Sequence, residues 1–241
     1  MSTAPTVVLD YYGPHDKTFL QCIQTGGASG IARYLTASFN DPRQITAQEV
    51  ADAHAIGLAV YFAYEMNPTW AGYFTYPQGA EDCRQAVARL TALGAPDGTV
   101  VYFAVDVNVD PNLTVGYFNG VESAVTPKIV PGVYGYQVMC EFARTNFPNI
   151  GQHLWQTYGT QTGPLDLRQH LQEARCGVAV DVNDCTVDGW KGQDMAYVTT
   201  EDFEAYKLAL QKQLDAGPSD DEMRVIATKI AVLLQGAAAT K

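Results

Sequence analysis

The chain has 241 residues, of which 47% are hydrophobic and 17% charged, a composition typical of a folded globular protein. Its length allows one large domain, or a domain of about 200 residues with an appendage. The net charge of −11 and the lack of a Lys/Arg-rich run argue against nucleic acid as a partner. No window approaches about 18 apolar residues, and MSTAPTVVLDYYG lacks a basic region followed by an apolar one. We therefore expect neither a membrane span nor a signal peptide.

Short apolar runs rich in Val, Tyr and Phe recur along the chain, and several end on a polar or acidic residue. Continuous runs of this length are typical of strands buried on both faces, as in a parallel sheet. Seven runs predict strands, and an eighth strand is predicted around LDLRQHL from Leu165. The seven are TVVLDYYG, GIARYLT, LAVYFAYE, VVYFAVDVN, PGVYGYQ, HLWQTYG and GVAVDVND.

Helical patterns lie between these runs. In ITAQEVADAHAIGL, Thr46 is the predicted N-cap, Glu49 its capping-box partner and Gly57 the terminator. The alternation of strand and helix predicts a (β/α)8 TIM-like barrel, although the chain is short for one. The alternative is an open doubly wound sheet, but that fold favours a phosphate-binding glycine loop after a strand. TGGASG at Thr25 instead precedes a strand.

The character of the sequence changes after residue 196. Residues 1–196 are predicted to form the barrel domain, and residues 197–241 a C-terminal extension of two amphipathic helices with DAGPSDD between them. A closed barrel does not need these helices. They are expected either to cap it or to serve docking or oligomerisation.

The five cysteines form no CxxC pair, and the histidines show no HxH or HExxH spacing. Zinc-ribbon and thioredoxin-like folds are therefore not expected, and most of the cysteines are predicted to be reduced and buried. A bridge between Cys176 and Cys185 remains open. GxSxG is also absent. No cofactor or metal site is predicted.

Four acids end predicted strands: Asp10, Glu65, Asp106 and Asp181. In a (β/α)8 barrel the carboxyl ends of the strands open on one face, so two pairs of carboxylates are expected to meet there. Crowded carboxylates raise one another's pKa, which allows one of them to act as an acid near neutral pH. These four are the predicted catalytic residues. The alternatives are acids that only cap loops or form ion pairs, and a Ca²⁺ or Mg²⁺ site.

Aromatic side chains stand beside these acids and suit a sugar ligand, because the apolar C–H faces of sugars stack on flat rings. The alternative is that they only fill the barrel, which we expect of Phe62 and Phe103. The predicted substrate-binding residues are Tyr12, Arg33, Tyr64, Asn108, Tyr134, Trp155 and Asp184.

With its motifs in order, the chain resembles the glycoside-hydrolase-like domain family of actinobacteria and their bacteriophages, which is related to the glycoside hydrolase family 25 lysozymes. The matching segments run from residue 7 to about residue 185. They are LDYYGP, GIARYLT, ITAQEVADAHAIGLAVYFAYE, VYFAVDVN, PGVYGYQVMCEFAR, HLWQTYG and VDVNDC.

The resemblance implies a (β/α)8-like barrel with a muramidase-type site acting on peptidoglycan. Asp10 and Asp181 match acids of the first and last strands of the lysozymes, and Asp106 matches the first acid of their Asp-x-Glu motif. Asn108 stands where those enzymes have the proton-donating Glu. An amide does not donate a proton efficiently, so Glu65 would have to replace it, with Asp110 as a weaker stand-in. In the hydrolase interpretation Glu65 or Asp106 is the acid, and Asp10 or Asp181 assists.

The sequence is therefore consistent with two alternative functions. The first is a bacteriophage-associated peptidoglycan glycoside hydrolase, and the second a non-catalytic phage tail protein whose barrel binds wall glycan and whose C-terminal helices contact other tail proteins. An intracellular carbohydrate enzyme is a third alternative. The expected location is the virion, or the host cytoplasm with delivery to the cell wall.

Overall fold

The fold is an eight-stranded barrel in a computed structural model that describes residues 6–38, 40–160 and 163–191. The strands close in sequence order from β1 round to β8 and back to β1. Every predicted strand is present, including the polar one after Leu165. The strands are β1 (Thr6–Asp10), β2 (Ala28–Leu35), β3 (Ala59–Tyr64), β4 (Thr99–Val105), β5 (Ile129–Tyr136), β6 (Leu154–Thr157), β7 (Leu167–Arg175) and β8 (Val178–Cys185).

Five α-helices follow the first five strands within the described residues. They are α1 (Lys17–Thr25), α2 (Ala47–Ala55), α3 (Tyr76–Ala92), α4 (Val115–Ser123) and α5 (Gln137–Asn146). Thr46 caps α2 as predicted, because its hydroxyl accepts from the backbone N–H of Glu49 at 3.0 Å. The Glu49 side chain, however, does not close a capping box. It accepts from Arg33 on β2 instead.

The predicted alternation of strand and helix is wrong for the last third of the barrel. Strands β1 to β7 run parallel to one another, whereas β8 is antiparallel to both of its neighbours, β7 and β1. Only Cys176 and Gly177 separate β7 from β8, and both have positive φ, at 54° and 81°. Two residues cannot make a helical crossover, so the chain turns back as a hairpin.

Two apolar layers hold the barrel together. The first fills its interior and includes Val8, Ala32, Tyr102 and Trp155. The second lies between the strands and the surrounding helices and includes Phe103. Residues that alternate along one strand therefore belong to different layers. This parity decides which polar side chains at a strand end reach the mouth of the barrel.

A disulfide joins Cys22 on α1 to Cys176 in the β7–β8 turn, with their Cα atoms 6.2 Å apart. The bridge considered from sequence, Cys176 to Cys185, is thus wrong. Cys185 lies in the barrel interior, where its Sγ is 3.3 Å from the hydroxyl of Tyr61. The expectation that most cysteines are reduced and buried is confirmed for the remaining three: Cys83, Cys140 and Cys185.

The predicted C-terminal extension, residues 197–241, lies outside the described residues and stays a prediction. Across the part of the chain that the structure describes, no helix is both long and apolar enough to cross a membrane.

Candidate functional site

Three of the predicted acids meet at the mouth of the barrel because they end parallel strands. Asp10 is the last residue of β1, Glu65 directly follows β3, and Asp106 follows β4. Asp181 also lies at the mouth, but not because it ends a parallel strand as predicted. It is the fourth residue of β8, not its end, and it pairs in register with Asp10 because β8 runs antiparallel to β1.

Asp10 is the most deeply buried of these acids, at 4% exposure. The Tyr34 hydroxyl donates to Oδ2 at 3.2 Å, and Oδ1 has no hydrogen-bond partner. Burial raises the pKa of Asp10 to about 7, and the charges of Asp181 and Glu65 add to the rise. The hydrogen bond from Tyr34 and the charge of Arg33 oppose it. Near neutral pH, a large share of the molecules therefore carry Asp10 as a neutral acid.

Glu65 is in direct contact with a cationic side chain, whereas Asp10 is not. Nη1 of Arg43 lies 2.9 Å from Oε1 of Glu65, and the same guanidinium holds Asp41 at 3.0 Å. Burial raises the pKa of Glu65, whereas Arg43 lowers it. Because a charge-assisted hydrogen bond favours the ionised carboxylate, Glu65 is better suited to staying charged than Asp10 is.

Asp106 and Asp181 complete the cluster. Burial raises the pKa of both carboxyls, and the charge of Asp106 adds to the rise at Asp181, where a hydrogen bond from Gln172 opposes it. Asp106 also raises the pKa of Glu65. Each of the four acids thus interacts electrostatically with at least one other, so the structure brings the predicted catalytic residues into one group.

Tyr134 and Trp155 stand inside the barrel below the acids, and their rings meet edge to face with centroids 4.9 Å apart. The Tyr134 hydroxyl donates to Gln169 at 3.0 Å. Burial raises the pKa of Tyr134, as do the charges of Asp106 and Asp10, which shows that its ring lies near the acids. Trp155 is almost fully covered and donates to Asn183 at 2.7 Å. It therefore forms the floor that supports Tyr134.

Three predicted substrate-binding residues do not face the mouth. Tyr64 is 1% exposed and packs against Phe103 in the layer beneath the helices, because its side chain points to the opposite face from Glu65. Arg33 lies in the same outer layer, fully buried and 3.1 Å from Glu49. Asp184 pairs with Val7 at the far end of β1 and lies 3.4 Å from His170.

The two remaining predicted residues lie on loops at the mouth. Tyr12 follows β1 and is 65% exposed, and Asn108 follows Asp106 and is exposed as well. Sequence reasoning missed Tyr34 and Arg43. The period-two pattern of β2 places Tyr34 on the same face as Ala32, so parity could have found it. Arg43 sits in an irregular loop after β2, where the sequence carries no comparable signal.

The geometry is suited to acid-base chemistry. A buried carboxyl whose pKa is raised to about 7 stands near three other acids, and such an arrangement can protonate a leaving oxygen while a carboxylate faces the developing positive charge. Among the residues that the structure describes, no three His, Cys, Asp or Glu side chains are grouped so as to hold a metal ion.

Comparison with known proteins shows related chains. The family model described as the Rv2525c-like, glycoside hydrolase-like domain matches residues 21–205. The Bacillus subtilis (strain 168) protein YbfG is 31% identical in a match of 137 residues, and the match covers 50% of this chain. The match covers only 19% of YbfG, so the chain spans about a fifth of that relative's length.

Two solved structures share the fold. The Mycobacterium tuberculosis Tat-secreted protein Rv2525c, crystallised with HEPES, has a TM-score of 0.66 at 22% identity, over 77% of this chain and 98% of its own. GHIP, a glycosyl hydrolase 25 of Streptococcus pneumoniae, has a TM-score of 0.52 at 10% identity, over 75% of this chain and 87% of its own. The resemblance to family 25 proteins is thereby confirmed at the level of the fold.

The raised pKa of Asp10 predicts a pH-dependent effect of Asp10→Asn on stability. Between its ordinary pKa of 3.8 and about 7, the folded state binds a proton that the unfolded state has lost, so the free energy of unfolding falls as the pH rises through this window. The full shift corresponds to about 4 kcal/mol. An asparagine avoids this loss and still accepts from Tyr34.

Urea unfolding at pH 5 and pH 8 checks this expectation. Asp10→Asn should gain stability over the unsubstituted protein by several kcal/mol at most, with the larger gain at pH 8. Asp188→Asn, a change at an exposed acid whose partner is Lys191, should show no such pH-dependent gain, because a lysine keeps its charge between pH 5 and pH 8. A loss of stability in Asp10→Asn that is larger at pH 8 would contradict the account.

Proposed function

Because the chain belongs to the Rv2525c-like, glycoside hydrolase-like domain family, we propose that it hydrolyses a glycosidic bond in cell-wall peptidoglycan. The observation that carries the proposal is the Asp10 carboxyl, which is buried at the mouth among three further acids and has one oxygen without a hydrogen-bond partner. Burial raises its pKa to about 7. Glycosidases need such an acid together with a second carboxylate. A protein that shares this fold, the autolysin LytC of Streptococcus pneumoniae, was solved in complex with a synthetic peptidoglycan ligand, and this supports peptidoglycan as the proposed substrate.

In this proposal Asp10 donates the proton to the leaving oxygen, and an ionised neighbour stabilises the positive charge at the anomeric carbon or activates water. Glu65 ionises more readily, but Arg43 neutralises its charge. Asp106 and Asp181 form no ion pair within the described residues, so their negative charge, once ionised, is left to face the substrate, and they are the candidates for that second role. The sequence favoured Glu65 or Asp106 as the acid. The contact between Arg43 and Glu65 supports moving this role to Asp10.

Asn108 favours a second candidate function, a barrel that binds wall glycan without cutting it. The position that the resemblance assigns to the lysozyme proton donor is Asn108, an exposed amide. In that case the predicted C-terminal helices would attach the barrel to other proteins, such as those of a phage tail. The two functions share the mouth and differ only in whether Asp10 transfers a proton.

Release of reducing sugar from purified peptidoglycan at pH 6.5 tests catalysis. The full chain should release sugar, and Asp10→Asn should lower the rate by about 100-fold or more, the usual contribution of a general acid. Asp106→Asn should lower it as well. Asp184→Asn is the matched control and should stay within about twofold, because this carboxyl faces away from the mouth.

Co-sedimentation with peptidoglycan separates the two candidate functions. Binding without sugar release in the unsubstituted protein would overturn catalysis and leave the binding barrel. Equal rates in the Asp10→Asn and unsubstituted proteins would remove Asp10 from the acid role.

The disulfide supports an extracytoplasmic location for this domain. Disulfides persist in oxidising compartments and are rare in the cytosol, and peptidoglycan also lies outside the membrane. We therefore propose that the domain works after leaving the cytoplasm, whether by export, on a virion or through a lesion.

This location predicts the thiol count of protein isolated from its natural source. All five cysteines of the sequence lie in the described residues, and three are free in the structure. Alkylation under denaturing, non-reducing conditions should modify only Cys83, Cys140 and Cys185, as read by intact mass. Modification of all five would contradict an oxidising location, and prior reduction supplies the five-label control.

A further inference from the structure

A pair of tyrosines forms a flat aromatic surface beside the acids. Tyr136 ends β5 and Tyr158 follows β6, two strands that are neighbours in the barrel. Their rings stack with centroids 5.4 Å apart and planes 23° from parallel. Tyr158 is 66% exposed, so one face of the pair is open to solvent. We call these two residues the tyrosine platform.

The backbone of Tyr158 is held in a conformation that bulky residues seldom adopt. Its φ is 49°, in the left-handed region that favours glycine. An exposed side chain gains little from burial, so packing does not explain the strain. Strained non-glycine residues of this kind concentrate at binding and catalytic sites, where a side chain must be presented in one direction.

Two glutamines hold this loop in place by hydrogen bonds. The buried Gln156 donates to the carbonyls of Tyr158 and Thr160, at 3.2 and 3.3 Å. Gln137 accepts from the backbone N–H of Thr160 at 2.9 Å. The side chain of Gln137 is itself anchored to Glu141. These hydrogen bonds fix the backbone that carries Tyr158, so the position of the platform is set by the fold.

The platform continues the proposed site. Tyr136 lies two residues after Tyr134 on β5, so both side chains leave the strand on the same face. The pKa of Tyr136 is raised by burial and then by the charge of Asp106, which places the ring within the field of the acid cluster. A chain bound across the acids would extend over this surface.

We propose that the tyrosine platform is a sugar-binding subsite that stacks one pyranose ring of the glycan next to the acid cluster. This inference rests on the proposed function. The apolar C–H face of a pyranose matches an open aromatic face, and the two hydroxyl groups can accept or donate at its edge. Tyr136 and Tyr158 are thus assigned as binding residues that position the glycan and take no part in bond cleavage.

Isothermal titration with a soluble tetrasaccharide of alternating N-acetylglucosamine and N-acetylmuramic acid tests the platform in the full chain. Tyr158→Gly removes the ring and also relieves the backbone strain. It should weaken binding by about tenfold, as expected for a lost aromatic contact, while the melting temperature stays level or rises. Tyr158→Phe should bind within about threefold of the unsubstituted protein.

Tyr76→Ala is the control, because Tyr76 is another exposed tyrosine and lies on α3, outside the platform. It should leave binding unchanged. Binding by the unsubstituted protein that Tyr158→Gly does not weaken would overturn the platform and leave the proposed function standing. No binding and no cleavage by the unsubstituted protein would overturn both.

Discussion

The burial of the Asp10 carboxyl is the constraint on which the site depends. Water is largely excluded from this group, one tyrosine hydroxyl is its hydrogen-bond donor, and the nearby acids repel its charged form. A carboxyl in such a position is more stable with its proton than without it. In the proposed function, this burial is what allows Asp10 to donate a proton near neutral pH, which an exposed aspartate could not do.

The rest of the barrel keeps that arrangement in place. The antiparallel β8 sets Asp181 opposite Asp10, and the disulfide secures the turn that leads into this strand. Below the acids, the hydrogen bond from Trp155 to Asn183 and that from Tyr134 to Gln169 tie β5 and β6 to β7 and β8. Buried polar networks of this kind fix side-chain positions because every member loses a partner if one moves. The uncompensated carboxyl and the strained Tyr158 are costs in stability that such a framework can tolerate.

Much of the fold could be predicted from the sequence because buried strands have a strong local signature. The same runs predicted that Asp10, Glu65 and Asp106 would share one face, since the ends of parallel strands meet there. Tyr64 shows where that reasoning was incomplete. It precedes Glu65 directly, so the alternation of a strand already excludes both side chains from facing the mouth.

Other features depend on contacts that no local pattern contains. A run such as GVAVDVND has the same apolar character whether its strand is parallel or antiparallel, so the direction of β8 followed only from the two-residue turn before it. Cys22 and Cys176 are separated by 154 positions in the sequence. Arg43 reaches Glu65 from a loop. All three features depend on the closed barrel. The contact from Arg43 favours the ionised form of Glu65, and this supports Asp10 as the proposed acid.

Carbon-13 NMR titration of aspartate carboxyl groups in the full chain tests the central claim most directly. The account predicts one aspartate with a midpoint near pH 7, which disappears in Asp10→Asn and persists in Asp184→Asn. Aspartates that all titrate below about pH 5 would contradict it, because Asp10 would then be ionised at neutral pH and unable to serve as the acid.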